Sequence, residues 1–190
     1  MNLEEYNEKR NFGKTAEPEG KPEISGDKLR YVIQHHIASR EHYDLRLEWN
    51  GRLLSWAVPK GPSLNPQDKR LAIQVEDHPL EYRHFEGIIP KDQYGGGTVM
   101  LWDEGFWEPL TNVKREYYGS GSTLKFILHG KRLQGKWVLV KTKYDDNKRI
   151  NQWLLIKEAD EFAKSDAGIE GFTISIRSGK TMAEIENQVK

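Results

Sequence analysis

His42, Asp44 and Arg46 stand at alternate positions in the stretch EHYDLRLEWNG (41–51), and a histidine doublet, His35-His36, lies shortly before them. Imidazole and carboxylate are ligands for a divalent cation. A His/His/Asp set without sulfur suits a borderline or hard ion such as Mn, Fe or Zn that keeps positions open for water. A guanidinium cannot ligate a cation, but it can hold an oxyanion bidentately beside one. A cation site next to an arginine is therefore chemistry suited to a phosphate.

Strand geometry is what would bring these groups together. Successive side chains of a strand point to opposite faces, so Tyr43, Leu45, Leu47 and Trp49 form an apolar face while His42, Asp44, Arg46 and Glu48 form a polar one. Asn50-Gly51 accepts positive φ at both central positions of a two-residue hairpin turn, which fixes a register: Trp49 opposite Arg52, Arg46 opposite Ser55, Asp44 opposite Ala57. Small residues then flank the polar ones and leave room for a ligand. The preceding run YVIQHH (31–36) forms a second hairpin with His36 opposite His42 and Gln34 opposite Asp44. Facing Cβ atoms would be about 5 Å apart and same-strand neighbours roughly 6.6 Å apart, spans that converging side chains can bridge. Parity with Gln34 favours His36 over His35. One histidine on a sheet is ordinarily a surface residue, and His36 alone carries no functional reading. The four residues together do, because the apolar parity is unbroken and the polar one is not the usual Lys/Glu/Thr mixture.

Further along, QVEDHPLEY (74–82) ends a strand with Glu76 and His78 on one parity, stopped by Pro79. A histidine there can be an oxyanion contact, a general acid or a turn cap, and spacing does not separate these. The triple glycine of PKDQYGGGTVMLWDEG (90–105) is not a phosphate-cradling Walker loop, since neither Gly-Lys-Ser/Thr nor a helix follows; it reads as a kinked or bulged entry to the strand TVMLW. The tryptophans read as core, with Trp107 a candidate stacking surface.

The 190 residues suffice for one domain with a real core, and six Trp and eight Tyr argue against disorder. A formal net charge of zero excludes a protein that holds nucleic acid mainly by a bulk positive field. The absence of cysteine removes disulfides and thiolate metal sites. No run is long enough for a membrane span and the first residues resemble neither a signal peptide nor a lipidation signal, so a soluble cytoplasmic protein is expected. Residues 1–30, with TAEPEGKPE, read as an extended N-terminal arm packing on the domain, and 31–190 as a single domain with a less regular tail. Eight short apolar or alternating runs (YVIQHH, HYDLRLEW, LLSWAVP, RLAIQVED, GTVMLW, TLKFILHG, KWVLVKTK, QWLLIK) predict a mainly all-β fold, a small antiparallel β-barrel of about eight strands. The segment between Trp102 and Thr123 reads as an irregular excursion, GFTISIR (171–177) as a candidate strand, and Thr181-x-x-Glu184 as a capping box ahead of a short C-terminal helix, MAEIENQ.

VIQHHIASREHYDLRLEWNG, SWAVPKGP and QVEDHPLEYRHFEGIIPKDQYGGGTVMLWDEGFWEP closely resemble the 3'-phosphoesterase domain of the bacterial ligase D repair proteins and its free-standing archaeal and bacterial relatives. The resemblance covers nearly the whole chain. It implies a small β-barrel enzyme of DNA repair that uses a divalent metal, preferably Mn2+, to remove a 3'-phosphate, and that also removes a 3'-terminal ribonucleotide from a primer-template end, leaving a phosphate that is then cleared to a 3'-hydroxyl. It further implies His36, His42 and Asp44 as metal ligands and Arg46 and His78 as phosphate contacts. Gln34, Lys60, Asp77 and Tyr82 match further active-site positions, and Arg10 and Glu17 match positions in the family's arm. No K-x-D-G nucleotidylation motif occurs in these residues, so a separate ligase and polymerase are the expected partners. Two rivals have distinct signatures. A non-haem iron oxygenase would use the same triad. A non-catalytic DNA-end-binding module would hold phosphates through the basic loops GKR (130–132) and KTKYDDNKR (141–149).

Overall fold

The structure is a computed structural model describing residues 3–21, 23–118, 122–142 and 151–187. In chain order its elements are helix α1 (Leu3–Glu8), strands β1 (Arg30–Ile37), β2 (Glu41–Trp49), β3 (Arg52–Val58), β4 (Arg70–Pro79), β5 (Gly87–Ile89), β6 (Gly97–Pro109), β7 (Thr123–Gly130), β8 (Gln134–Lys141) and β9 (Gln152–Lys157), and helix α2 (Met182–Glu186). Strands run antiparallel in the order β1-β2-β3-β4-β9-β8-β7-β6, and β1 pairs again with β6, closing an eight-stranded barrel; β5 adds a ninth strand on β6. Closure leaves the barrel no free edge. Among the described residues no helix is long and apolar enough to cross a membrane.

The apolar parity of β2 faces inward. Leu45 and Leu47 pack with Ile33, Trp56, Trp102, Trp107, Trp137 and Trp153 in one core. Trp107 is 2% exposed and donates its indole N–H to the Glu48 carbonyl (3.0 Å), so it is a core residue and offers no stacking surface. The polar parity faces outward, yet Asp44, Arg46 and Glu48 are also buried. What covers them is a second, smaller cluster of Tyr6, Leu53, Leu80, Tyr82, Phe85, Ile89 and Val99, contributed by the arm, β3, the 3-10 turn Leu80–His84 with the residue after it, β5 and β6.

Both expected hairpin registers occur. Trp49 pairs with Arg52, Arg46 with Ser55 and Asp44 with Ala57 across β2–β3, and His36 pairs with His42 and Gln34 with Asp44 across β1–β2. The turn takes positive φ at both Asn50 (48°) and Gly51 (75°). The Thr181 capping box is present at α2. Four expectations are corrected. The stretch EGFWEP is no irregular excursion but the second half of the 13-residue β6, which leaves β1 to pair with β7. The three-residue β5 is too short to carry a periodic signal. GFTISIR is not a strand: it makes one isolated bridge, Ile174 to Thr181, and its Ser175 N–H closes a turn onto Lys180. The arm begins with the helix α1, whose Tyr6 is fully buried against the barrel, before continuing without regular structure.

The arm continues across the outer face to the β2–β3 turn, where Ser25 Oγ accepts a hydrogen bond from Gly51 N–H (3.0 Å). A Cβ on Gly51 would collide with the Glu23 carbonyl oxygen in addition to straining a positive φ. Gly51→Ala is therefore expected to cost at least about 1–2 kcal/mol. Gly26→Ala, where a Cβ meets nothing within 4 Å, should stay within about 0.5 kcal/mol. Urea midpoints check this, and equal midpoints for the two variants would contradict the turn geometry.

Candidate metal and phosphate site

A pocket of about 280 Å³ opens on the outer face of the barrel, lined by His36 from β1, His42, Asp44 and Arg46 from β2, Glu76 and His78 from β4, Tyr82 from the 3-10 turn, Arg10 from the arm, and Tyr94 and Gly95 from the β5–β6 loop. One irregularity aims β4. Ser55 pairs with Val75 but Leu53 with His78, so β4 carries one extra residue. Strict alternation from the outward Val75 would send Asp77 out and His78 in; the bulge reverses both. Asp77 accordingly lies outside the pocket, fully buried, accepting from Tyr117 Oη (2.9 Å) and ion-paired with Arg52 (3.7 Å). Lys60, exposed in the turn after β3, is not among the pocket's lining residues either.

Donor atoms of His36, His42 and Asp44 lie within 4.8 Å of one another. His36 Nδ1 is 3.6 Å from Asp44 Oδ2, and His42 Nε2 is 3.6 Å from Asp44 Oδ1. His42 Nδ1 is 2.8 Å from the Arg40 carbonyl and donates to it, which leaves the Nε2 lone pair for a ligand. His36 Nε2 is buried without a hydrogen-bond partner among the described residues. The doublet is thereby resolved. His35 points to the other face, stacked on Tyr43 at 4.2 Å and paired with Glu41, while His36 joins Asp44. Burial alone would raise the Asp44 pKa, but Arg46 foremost, with His36 and His42, holds it down to about 2. An ionised carboxylate between two imidazoles, one with an orphaned nitrogen, fits a divalent metal of borderline hardness.

Beside this group Arg46 is clamped on two sides. Its Nε donates to Gln34 Oε1 (2.7 Å) and its Nη2 to Asp44 Oδ2 (3.1 Å). Gln34 is itself oriented by donating Nε2 to the Tyr82 and Phe85 carbonyls (3.0 and 2.9 Å). Arg46 Nη1 is buried with no partner among the described residues. A buried N–H left unpaired costs about 1–3 kcal/mol, more on a charged group, so a guanidinium held this way is prepared for an anion.

The arm supplies a second cation. Arg10 donates Nε to Glu17 Oε1 (2.9 Å) and Nη1 to Glu76 Oε1 (3.3 Å), and its Nη2 lies 3.3 Å from His78 Nε2. His78 Nδ1 meets the Glu76 carbonyl at 2.9 Å. With Nδ1 donating there, Nε2 carries the lone pair and accepts from Arg10. Burial first, then Arg46 and Arg10, push the His78 pKa well below the usual histidine value, so the imidazole is neutral in the free protein. Tyr82 donates its hydroxyl to Glu17 (3.0 Å), and burial, reinforced by Glu17, raises its pKa well above the usual phenol value.

Of the eleven residues expected from the sequence, nine thus converge here: seven line the pocket, Gln34 accepts from Arg46 beside it, and Glu17 anchors Arg10 from behind. Sequence reading missed the roles of Glu76, Lys9 and Tyr94. Glu76 shares parity with His78 and could have been found. Lys9, which pairs with Glu76 (3.1 Å), and Tyr94, at the pocket's rim, belong to segments whose placement no periodicity encodes.

The sign of the His78 pH effect follows from its depressed pKa. Below pH about 6.5 the unfolded chain takes up a proton that native His78 refuses, so stability falls as pH falls through that range. Denaturation of the wild type and of His78→Gln at pH 7 and pH 5 should show the wild type losing stability relative to the variant at the lower pH. An unchanged difference would mean that His78 is not held neutral.

Residues 34–141 match the family model described as the DNA Ligase D 3'-phosphoesterase domain. The chain is 52% identical over 165 residues to a "Multifunctional non-homologous end joining protein LigD" of Pseudomonas aeruginosa, covering 86% of this chain and 19% of the relative. It is 44% identical over 147 residues to a "Multifunctional non-homologous end joining DNA repair protein LigD" of Mycobacterium tuberculosis, covering 75% of this chain and 19% of the relative. The chain therefore spans about a fifth of the length of these curated relatives.

Proposed function

The chain belongs to the DNA ligase D 3'-phosphoesterase domain family, and from that premise we propose that it is a metal-dependent hydrolase that heals DNA 3' ends in non-homologous end joining. It removes a 3'-phosphate and a 3'-terminal ribonucleoside from primer-template ends, leaving a 3'-hydroxyl for a separate polymerase and ligase. The observation that carries this reading is the unpartnered, buried Arg46 Nη1 set beside the His36, His42 and Asp44 donors. The oxygenase reading would give the same cation a keto-acid carboxylate to hold and predicts oxygen consumption with a keto acid, where the hydrolase reading predicts none. The end-binding module is weakened. Lys131 is paired with Glu104, and Arg132 donates to the Ile174 carbonyl and lies over Trp102 and Phe172, while most of the second basic loop lies outside the described residues.

His36, His42 and Asp44 would hold the metal, for which Mn2+ is our choice. When bound it supplies Lewis-acid polarisation of the phosphoryl group and a more acidic water. The remaining work belongs to side chains. Arg46 Nη1 donates to a nonbridging phosphoryl oxygen and stabilises the charge that grows there. Arg10 neutralises the same group from the arm, held in place by Glu17 and Glu76. An arriving phosphate dianion offsets the two arginines that depress the His78 pKa, so its Nε2 can take up a proton and pass it to the departing sugar 3'-oxygen. Tyr82 stays protonated and keeps Glu17 in register with Arg10. Arm and barrel act as one catalytic unit in the cytoplasm.

End-labelled primer-templates carrying a 3'-phosphate or a 3'-ribonucleotide should both be converted to 3'-hydroxyl ends with Mn2+ and not with a chelator. Binding of ends without product under any divalent metal would instead favour the end-binding module. Among variants, Asp44→Asn should abolish turnover and metal binding. It is preferred to Asp44→Ala because it keeps an acceptor for Arg46, whose abandonment in the buried site would cost about 3–5 kcal/mol. Arg46→Ala should lower kcat by roughly two orders of magnitude or more while metal affinity, read by calorimetry, persists. Normal turnover in either variant would overturn the assigned roles.

A further inference from the structure

The triple glycine Gly95-Gly96-Gly97 is left unexplained by the chemistry above, and its backbone is unusually constrained. Gly95 and Gly97 take φ of 75° and 155°. A Cβ on Gly96 would lie 2.7 Å from the Pro90 carbonyl oxygen and 2.8 Å from Lys91 Cα, and one on Gly97 would fall onto the Ile37 carbonyl oxygen. Two turn bonds, Gln93 N–H to the Pro90 carbonyl (2.9 Å) and Gly96 N–H to the Gln93 carbonyl (3.0 Å), close the loop on itself. The glycines thus let residues 90–97 fold tightly and dock on the end of β1, the strand that carries His36. A Cβ at Gly95 would itself sit 3.9 Å from His36 Cε1.

What this compact loop holds at the pocket rim is Tyr94. Tyr94 is 48% exposed as a residue, whereas Tyr82 is 2% exposed and Tyr6, beneath Arg10, fully buried. Lys9 Nζ and Arg10 Cζ lie 5.0 and 5.5 Å from the ring centroid. Both cations approach the ring from the arm, and nearly half of the residue's surface stays accessible at the rim. What sets Tyr94 apart from other exposed apolar residues is its place: a constrained loop holds it among the residues lining the pocket, with two cations within reach of its ring.

We propose that Tyr94 is the platform on which the terminal nucleobase of the DNA 3' end stacks while its 3'-phosphate occupies the pocket. The inference rests on the function proposed above and adds the nucleoside subsite to it. Each base presents a π-face, so stacking gives affinity without sequence preference, as end repair requires, while the charged groups act only on the phosphate. The loop glycines acquire a reason: they fix the distance between the ring and His36, and so the depth to which the phosphate enters.

The test uses the full chain in chelator, so that no turnover intervenes. Its probe is a 3'-phosphorylated primer-template with 2-aminopurine as the terminal base, set against the same duplex with an abasic terminal sugar. Wild type should quench the fluorophore on binding and prefer the base-bearing end by roughly tenfold in Kd, the order expected for one base–aromatic stack. Tyr94→Phe should retain quenching and preference. Tyr94→Leu, which preserves apolar cover for Lys9 and Arg10 but has no π-face, should lose both. Equal affinity of wild type for the two ends, or a Tyr94→Leu protein that behaves as Tyr94→Phe, would overturn the platform. Arg46→Ala separates the two levels of the argument. If binding of both ends depends on Arg46 but not on the base, only the platform fails. If it does not depend on Arg46, the phosphate-site reading fails and the platform with it.

Discussion

The structure turns on a strand that is buried on both faces, one apolar and one charged. Leu45 and Leu47 enter the barrel core, while one residue away Asp44 and Arg46 are nearly as inaccessible on the outer side. Charges removed from water at that depth persist only with compensating charges and hydrogen bonds, and the surrounding architecture supplies them. Gln34 crosses from β1 to accept from Arg46, and the 3-10 turn offers two backbone carbonyls that lock Gln34. The two imidazoles flank Asp44 on its open side. Satisfaction around Asp44 and Arg46 is nearly complete, and two exceptions are informative: among the described residues Arg46 Nη1 and His36 Nε2 have no partner, and both residues line one small pocket. Residual frustration of this kind marks where binding energy is available.

A closed barrel places its site in an awkward position. The interior is filled by tryptophans and leucines, so chemistry is displaced to the convex surface, where water would screen every charge. The arm resolves this. Tyr6 and α1 pack on β4 and the 3-10 turn, and Arg10 arrives with its own carboxylate, Glu17, and leans on Glu76. Arg10 and Arg46 together depress the His78 pKa, and each is counterbalanced by a carboxylate. Local charge is thus high and finely balanced while the formal net charge is zero.

Much of this was legible in the sequence because it depends on local rules. Asn50-Gly51 permits a two-residue turn, the turn fixes the β2–β3 register, and period-two alternation then assigns faces. The same reasoning across the β1–β2 hairpin selected His36 over His35, and the structure separates them on opposite faces. What escaped was non-local or irregular. The bulge that turns Asp77 inward and His78 outward arises from how β4 pairs with β3, and no residue of QVEDHP announces it. The second half of β6 was mistaken for a loop because its glycine, glutamate and proline are poor strand formers that pairing to β7 overrides. The short β5 and the helical start of the arm owe their form to the barrel surface on which they lie.

The arrangement also accounts for why one residue type could not be exchanged for another at the pocket. A lysine at position 46 would bring the charge but not the planar fork that engages Gln34, Asp44 and an incoming anion at once. A glutamate at position 44 would lengthen the carboxylate arm in a space bounded by Ala57 and two imidazoles, and move it from the line that joins Arg46 to the histidines. Residue size across the ladder enforces the same geometry, since Ala57, opposite Asp44, lines the pocket with a single methyl. One small residue, one asparagine-glycine turn and one bulge thereby set where the charged groups of β2 and β4 stand, and their arrangement follows from backbone register as much as from side-chain identity.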